Sequence, residues 1–185
     1  MIKEIINHTE EKMGKSLVAL KNELATLKAG KANPTMLDKI SIEYYGAETP
    51  IGQIAGISVP EPRILMIQPW DKAALKDIER AILMSDLGIN PSNDGISIRL
   101  IIPELTEETR KDIVKKVRKY GEETKVAVRG IRRDSNEKIK HLKKDGEINE
   151  DEEKLGEKDI QKITDKYVQK IDGVVENKEK EIMSV

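Results

Sequence analysis

The feature that most constrains the fold is a helical pattern that runs from Thr106 to Asp145. On a helical wheel at about 100° per residue, apolar and small side chains share one side and basic side chains lie about 130° away. The apolar seam comprises Ile113, Val117, Tyr120, Thr124, Ala127, Val128, Ile131, Ser135, Ile139 and Leu142. The basic stripe comprises Lys111, Lys115, Arg118, Lys125, Arg129, Arg132, Arg133, Lys140 and Lys143. The seam requires partner helices, whereas the stripe requires either a polyanion or only water.

Two more segments supply those partner helices. Residues 1–29 repeat apolar side chains at the alternating spacing of three and four that is typical of a bundle seam: Ile6, Met13, Leu17, Leu20, Leu24 and Leu27. Asn149 and Glu152 form a capping-box pattern, which predicts a third helix that ends near Met183. Its seam is Ile160, Ile163, Tyr167, Ile171, Val174 and Ile182.

Between the first two helices the hydrophobic period changes from helical to two. Residues 40–45 alternate as a strand and a turn is expected at 46–48, whereas 63–68 is an apolar run typical of a buried strand. Asp71 is placed to cap a short helix, and residues 96–102 alternate again. We expect the aromatic residues here, Trp70 and the pair Tyr44 and Tyr45, to be packing anchors.

These patterns predict an α+β protein. Residues 1–29 and 106–185 form an elongated antiparallel three-helix bundle, and residues 30–105 form an inserted β/α/β domain. The chain leaves and re-enters the bundle close to Gly30 and Lys31 and close to Glu104 and Leu105, so these four residues are the predicted hinges.

Most enzyme classes find no support in the sequence. There is no cysteine, and no glycine-rich phosphate loop or dinucleotide fingerprint. His8 and His141 fall on different predicted helices, where a solvated histidine is the better interpretation than a catalytic base or a ligand. No apolar run is long enough to cross a bilayer, and the amino terminus lacks a signal-peptide pattern. We expect a cytoplasmic protein that is not an enzyme and has no catalytic residue, metal or cofactor.

The charges are distributed unevenly along the chain. Residues 106–145 carry 14 basic and 8 acidic side chains, whereas residues 146–185 carry 7 basic and 12 acidic ones. Acidic residues other than Glu122 are mostly absent from the sector of the basic stripe, so pairing within the helix does not explain it. Its centre is arginine, which suits phosphate, and it lacks the stacking aromatics of single-strand binders. The stripe therefore favours the phosphate backbone of folded RNA, with a merely solvated helix face as the alternative.

Six motifs, in order along the chain, resemble those of bacterial ribosome recycling factors. They are Leu27–Pro34, Val59–Arg63, Gln68–Asp71, Asp86–Pro91, Arg99–Glu107 and, as the best-marked signature, Val128-Arg-Gly-Ile-Arg-Arg-Asp-Ser-Asn136. The chain length of 185 residues also matches this family. Lys28 and Lys31 stand where the family usually has arginine, and Gly130 stands where asparagine is commoner.

The resemblance implies an L-shaped protein with a flexible hinge between the bundle and the small domain. It implies binding to the post-termination ribosome, with the bundle on ribosomal RNA of the large subunit. Elongation factor G would be the second partner, and GTP hydrolysis by that partner would drive the separation of the subunits. We expect a monomer that binds neither DNA nor membranes.

The matching motifs transfer an RNA-contact role to Arg129, Arg132, Arg133, Lys28 and Lys31. We assign Lys125 and Arg110 to the same surface. Two other functions remain open: a factor that stores or rescues ribosomes without splitting them, and a coiled-coil adaptor for protein partners.

Overall fold

The computed structural model describes residues 1–27 and 30–184. They divide into two compact units, Met1–Ala29 with Thr106–Val185 and Gly30–Leu105. Lys28, one of the predicted RNA-contact residues, lies outside the described residues.

The first unit contains three long helices, α1 (Ile2–Ala25), α3 (Glu107–Lys144) and α4 (Glu150–Met183). Thr106 caps α3 through a bond from the Thr109 amide to Oγ1, and Asn149 and Glu152 complete the predicted capping box of α4. Helix α1 ends at Ala25, before the predicted end of this bundle segment at residue 29. The Thr26 hydroxyl and amide both donate to the Glu23 carbonyl, which tightens the last turn.

The predicted seams of all three helices meet in one core. Its buried members are Met13, Leu17, Leu20, Leu24, Val117, Val128, Tyr167, Ile171 and Ile182. Ser135 also faces the interior as predicted, where its hydroxyl lies 2.6 Å from that of Thr9. Burial of one large apolar side chain contributes about 1.5–3 kcal/mol, so this shared seam is what holds the helices side by side.

The second unit consists of two antiparallel sheets and one α-helix. Strands β1 (Ser41–Tyr44) and β2 (Ala47–Pro50) form a hairpin. Strands β3 (Ala55–Glu61), β4 (Ile64–Pro69), β5 (Ser92–Asn93) and β6 (Ile98–Ile101) form a sheet in the order β3-β4-β6-β5. Helix α2 (Leu75–Leu83) follows a 3₁₀ turn that Asp71 caps through the Ala73 amide, as predicted.

Alternation along β4 and β6 sorts their side chains between the two faces of the sheet. Leu65, Ile67, Ile98 and Leu100 are fully buried and share a core with Ile78 and Ile82 of α2. This unit therefore has its own hydrophobic core, as an inserted domain requires.

Three local predictions for this unit were wrong. The hairpin turn lies at Tyr45 and Gly46, and Ala47 already belongs to β2. Tyr45 is 86% exposed because it occupies the turn with φ of +50°, and Trp70 is 74% exposed because Pro69 takes the inward position at the end of β4. These two aromatic residues are therefore not packing anchors.

Both ends of the inserted unit are attached to the connection between β3 and β4. The Ala32 amide donates to the Pro62 carbonyl at 2.8 Å, and the Ile102 amide donates to the Arg63 carbonyl at 2.8 Å. Arg63 also pairs with Glu104 at 3.2 Å. Gly30 has φ of +75°, and a β-carbon on it would lie 3.1 Å from Leu105 Cγ. The two connecting segments are thus in contact with each other.

Candidate nucleic-acid interface

The arginine cluster, Arg129, Arg132 and Arg133, lies within a single turn of α3. At 100° per residue the three Cα–Cβ vectors span about 100° around the helix axis. Arg129 and Arg133 are exposed, and neither forms an ion pair within residues 1–27 and 30–184. Arg132 is half-buried on the side of the cluster that faces α4, where its Nη1 donates to Gln161 Oε1 at 3.1 Å.

Several side chains of the basic stripe around this cluster are neutralised by ion pairs. Four of its members form ion pairs with carboxylates of the acidic helix α4: Arg118 with Glu179, Lys125 with Asp172, Lys140 with Glu157, and Lys143 with Glu153. The pattern within α3 alone could not reveal these pairs, because they depend on the register between two helices. The uncompensated part of the stripe is consequently shorter than predicted and centres on the arginine cluster.

Lys125 is the clearest example of a stripe residue whose charge is neutralised by ion pairs. Its side chain is only 16% exposed and its ammonium group pairs with both Glu122 and Asp172. The hydrogen bond that Lys125 donates to Asp172 is the largest of the effects that raise the pKa of Lys125, so the group stays charged, but that charge is compensated. We therefore place Lys125 in the contact between α3 and α4 and expect it to contribute less to any anion surface than the neighbouring arginines.

The other predicted contact residues are dispersed. Lys31 is exposed and belongs to the second unit, whereas Arg110 lies in the first turns of α3, remote in sequence from the arginine cluster. Arg110 is half-buried, and its Nε has no hydrogen-bond partner among the residues that the structure describes.

Gly130, inside the arginine cluster, makes no close packing contact. A β-carbon built at this position would meet nothing within 4 Å. The residue is therefore tolerated by the bundle, and its cost is the intrinsic one of about 1 kcal/mol for glycine in a helix interior. A β-carbon at position 130 would therefore not press on a neighbouring helix.

Metal-ligand clusters and membrane-spanning helices are both absent from the described residues. They contain no group of three or more histidine, cysteine, aspartate or glutamate side chains that could hold a metal ion. None of the helices described is long and apolar enough to cross a membrane.

Comparison with known proteins gives the family of the chain. The sequence profile described as "Ribosome recycling factor" matches residues 20–183. The ribosome-recycling factors of Clostridium novyi (strain NT) and Clostridium acetobutylicum are 68% and 66% identical to the chain over 185 residues, which is the full length of each protein.

Solved structures give the same result at the level of the fold. A solution structure of the ribosome recycling factor has a TM-score of 0.77 and 42% identity, with coverage of 100% of this chain and 98% of that one. The Thermus thermophilus ribosome recycling factor, in a structure with Escherichia coli elongation factor G on the E. coli post-termination complex, has a TM-score of 0.62 and 50% identity, with 98% of each chain covered. Since the profile, the full-length relatives and the fold all agree, the chain belongs to the ribosome recycling factor family.

Proposed function

We propose that this protein binds the post-termination ribosome and, with elongation factor G and GTP hydrolysis by that partner, separates the ribosome into its subunits. The observation that carries the proposal is the arginine cluster at the centre of the family signature. Arg129 and Arg133 are exposed, Arg132 is half-buried, and none of the three forms an ion pair within residues 1–27 and 30–184. The chain itself is proposed to do no covalent chemistry, and the partner GTPase supplies the free energy. We place this activity in the cytoplasm.

The proposed contact of the bundle is the phosphate backbone of folded ribosomal RNA in the large subunit. Guanidinium groups can donate two parallel hydrogen bonds to one phosphate, and three of them within a helix turn suit adjacent phosphates of a folded strand. Helix α3 carries no stacking aromatic beside the cluster, so the recognition is of shape and charge rather than of bases. Lys28, Lys31 and Arg110 are proposed as secondary contacts.

The proposed mechanical step uses the connections at Gly30, Lys31, Glu104 and Leu105 as hinges. Elongation factor G would push the small domain while the bundle stays anchored to ribosomal RNA. The two connecting segments touch each other through Gly30 and Leu105, so one local rearrangement can move both at once. In this mechanism the force is transmitted through the bundle to the contacts between the subunits.

Light scattering of ribosomes tests the proposal. Post-termination ribosomes mixed with the protein, elongation factor G and GTP should lose scattering intensity as subunits separate, and omission of any one component should prevent the loss. Binding without loss of scattering would instead indicate a storage or rescue factor. No co-sedimentation with ribosomes at low salt would indicate a protein-binding adaptor, and both results would contradict the proposed function.

Replacement of Arg132 by glutamate tests the anchor separately. Because the side chain is at the surface of the bundle and forms no ion pair within the described residues, thermal unfolding should change little, whereas binding to large subunits should be lost. Retained affinity of Arg132→Glu for the large subunit would show that the anchor lies elsewhere.

A further inference from the structure

Helices α3 and α4 are joined by a ladder of side chains at heptad spacing. On α3 the cations are Arg118, Lys125 and Arg132, and on α4 the carboxylates run in the reverse direction as Glu179, Asp172 and Asp165. The first two rungs are direct ion pairs. Arg118 Nε lies 2.7 Å from Glu179 Oε1, and Lys125 contacts Asp172.

The third rung of this interhelical ladder is built differently. Arg132 Nη1 donates to the amide oxygen of Gln161 at 3.1 Å, and Gln161 Nε2 donates to Asp165 Oδ1 at 2.8 Å. Across residues 1–27 and 30–184, Arg132 forms no ion pair. A neutral amide thus stands between the cation and the carboxylate that would otherwise complete the ladder.

The amide can hold the guanidinium group without neutralising it. Asp165 accepts only from the NH₂ side of Gln161, so this bond fixes which end of the amide faces Arg132. The amide oxygen then accepts one of the five guanidinium N–H donors and leaves four for a ligand. A carboxylate at the same place would occupy two donors and cancel most of the local positive potential.

Arg118, on the same face of α3, forms the direct ion pair with a carboxylate that Arg132 lacks. Both its Nε and its Nη2 donate to Glu179, and this hydrogen bonding is the main cause that raises the pKa of Arg118. These two guanidinium donors of Arg118 are therefore not available to a phosphate. Arg132 has a similar position in the heptad, but within the described residues it donates only to the neutral amide of Gln161.

We propose that Gln161 is a positioning residue for RNA binding: it orients Arg132 through its amide oxygen while leaving the guanidinium charge available to a phosphate. This inference rests on the proposed binding of the arginine cluster to ribosomal RNA. It assigns a role in recognition to a residue of α4, outside the signature motif of α3. Asp165 supports the same role indirectly, because it fixes the orientation of the amide.

Substitution of Gln161 by glutamate tests the proposal, because it changes charge and almost nothing in shape. The new carboxylate would pair directly with Arg132, so affinity for the large subunit should fall several-fold, and the slope of log affinity against log salt should decrease by about one. The matched control is Gln169→Glu, which adds the same charge at an exposed position of the same helix. This control should retain the wild-type slope.

A second variant, Gln161→Met, keeps the length of the side chain but removes the hydrogen bonds. It should weaken binding less than Gln161→Glu and leave the salt slope unchanged, since the arginine charge remains free. Wild-type affinity of Gln161→Met would overturn the positioning role, because this variant lacks the amide oxygen that orients Arg132. Thermal unfolding of each variant shows whether it is folded.

Two outcomes of the binding experiment are distinguishable. If Arg132→Glu abolishes binding while Gln161→Glu binds with the same affinity and slope as Gln169→Glu, the positioning role of Gln161 is overturned and the proposed function stands. If Arg132→Glu binds like the wild type, the proposed function fails, and the positioning role fails with it.

Discussion

Gly121 of α3 faces Val175 of α4 so closely that a β-carbon on the glycine would lie 2.6 Å from Val175 Cγ2. No real β-carbon tolerates that distance, and valine is stiff at χ1, so its methyl group cannot swing away cheaply. The close approach of these two helices thus depends on the absence of a side chain at position 121. Gly130, nine residues further along the same helix, has no such neighbour.

These two glycines should respond to alanine in opposite ways. Gly121→Ala should lower the free energy of unfolding by about 1–3 kcal/mol through overpacking. Gly130→Ala should raise it by about 0.5–1 kcal/mol through helix propensity alone. Urea denaturation followed by circular dichroism measures both. The double variant Gly121→Ala with Val175→Ala should recover part of the loss, and a Gly121→Ala protein as stable as the wild type would contradict the packing argument.

The turn before β6 should make the free energy of unfolding depend on pH in the acidic range. Asp94 accepts hydrogen bonds from the backbone amides of Ser97 (2.7 Å) and Ile96 (2.9 Å), which lower the pKa of its carboxyl group in the folded chain. The folded state therefore binds this proton less readily than the unfolded state does. The resulting stabilisation is present above the ordinary aspartate pKa of about 3.9 and is lost as the pH falls below it.

The Asp94→Asn variant should therefore be less stable than the wild type near neutral pH, and the difference should shrink as the pH falls below about 4. Urea unfolding at several pH values, followed through the single tryptophan, Trp70, measures the difference within the same unit. Asp86→Asn is the control, because within the described part of the chain the Asp86 carboxylate accepts no hydrogen bond. A stability difference for Asp94→Asn that did not vary with pH would exclude this linkage.

The hinge proposal predicts a separation of splitting from binding. Gly30 and Gly46 both have positive φ, +75° and +78°, so alanine should cost each about 1–2 kcal/mol in backbone strain. Only at Gly30 does the new β-carbon meet a residue of the other connecting segment, Leu105 at 3.1 Å. Gly30→Ala should therefore slow the loss of light scattering while affinity for the large subunit stays within about twofold, which is under 0.5 kcal/mol.

Gly46→Ala, at the hairpin turn, should leave both properties unchanged. Equal rates of splitting for the two alanine variants would remove Gly30 from the mechanism.

The long helices were predictable because each carries its own signals. Thr106 and the pair Asn149 and Glu152 mark the helix starts, and the seam periodicity extends over many turns, so local propensity and burial agree. The same holds for Asp71 at the start of the helical segment in the small unit. Local sequence therefore fixes the starts of these capped elements to within a residue or two, whereas the end of α1 at Ala25 lies four residues before the predicted end at residue 29.

Contacts that depend on the register between elements were not predictable. The ion pairs of Arg118 with Glu179 and of Lys125 with Asp172 join residues far apart in sequence, and nothing in α3 alone indicates them. The buried hydrogen bond between Thr9 and Ser135 is of the same kind. For the same reason the sequence could not distinguish Gly121, which is required by packing, from Gly130, which is not.

Trp70 shows a different limit. Aromatic residues in a small domain are usually core residues, but the end of β4 turns Pro69 inward and leaves Trp70 exposed. The face to which a residue at the end of a strand points is set by the strand's exact terminus, and that boundary is the least predictable part of an element.

The most direct test of the account compares Arg132→Gln with Arg118→Gln in binding to large ribosomal subunits at increasing salt. The two arginines occupy similar positions in the heptad of one helix, but only Arg118 forms an ion pair with α4. If the arginine cluster is the anchor, Arg132→Gln should weaken binding and lower the salt slope by about one, while Arg118→Gln stays close to the wild type. Equal effects of the two substitutions, or wild-type binding that does not respond to salt, would contradict the account.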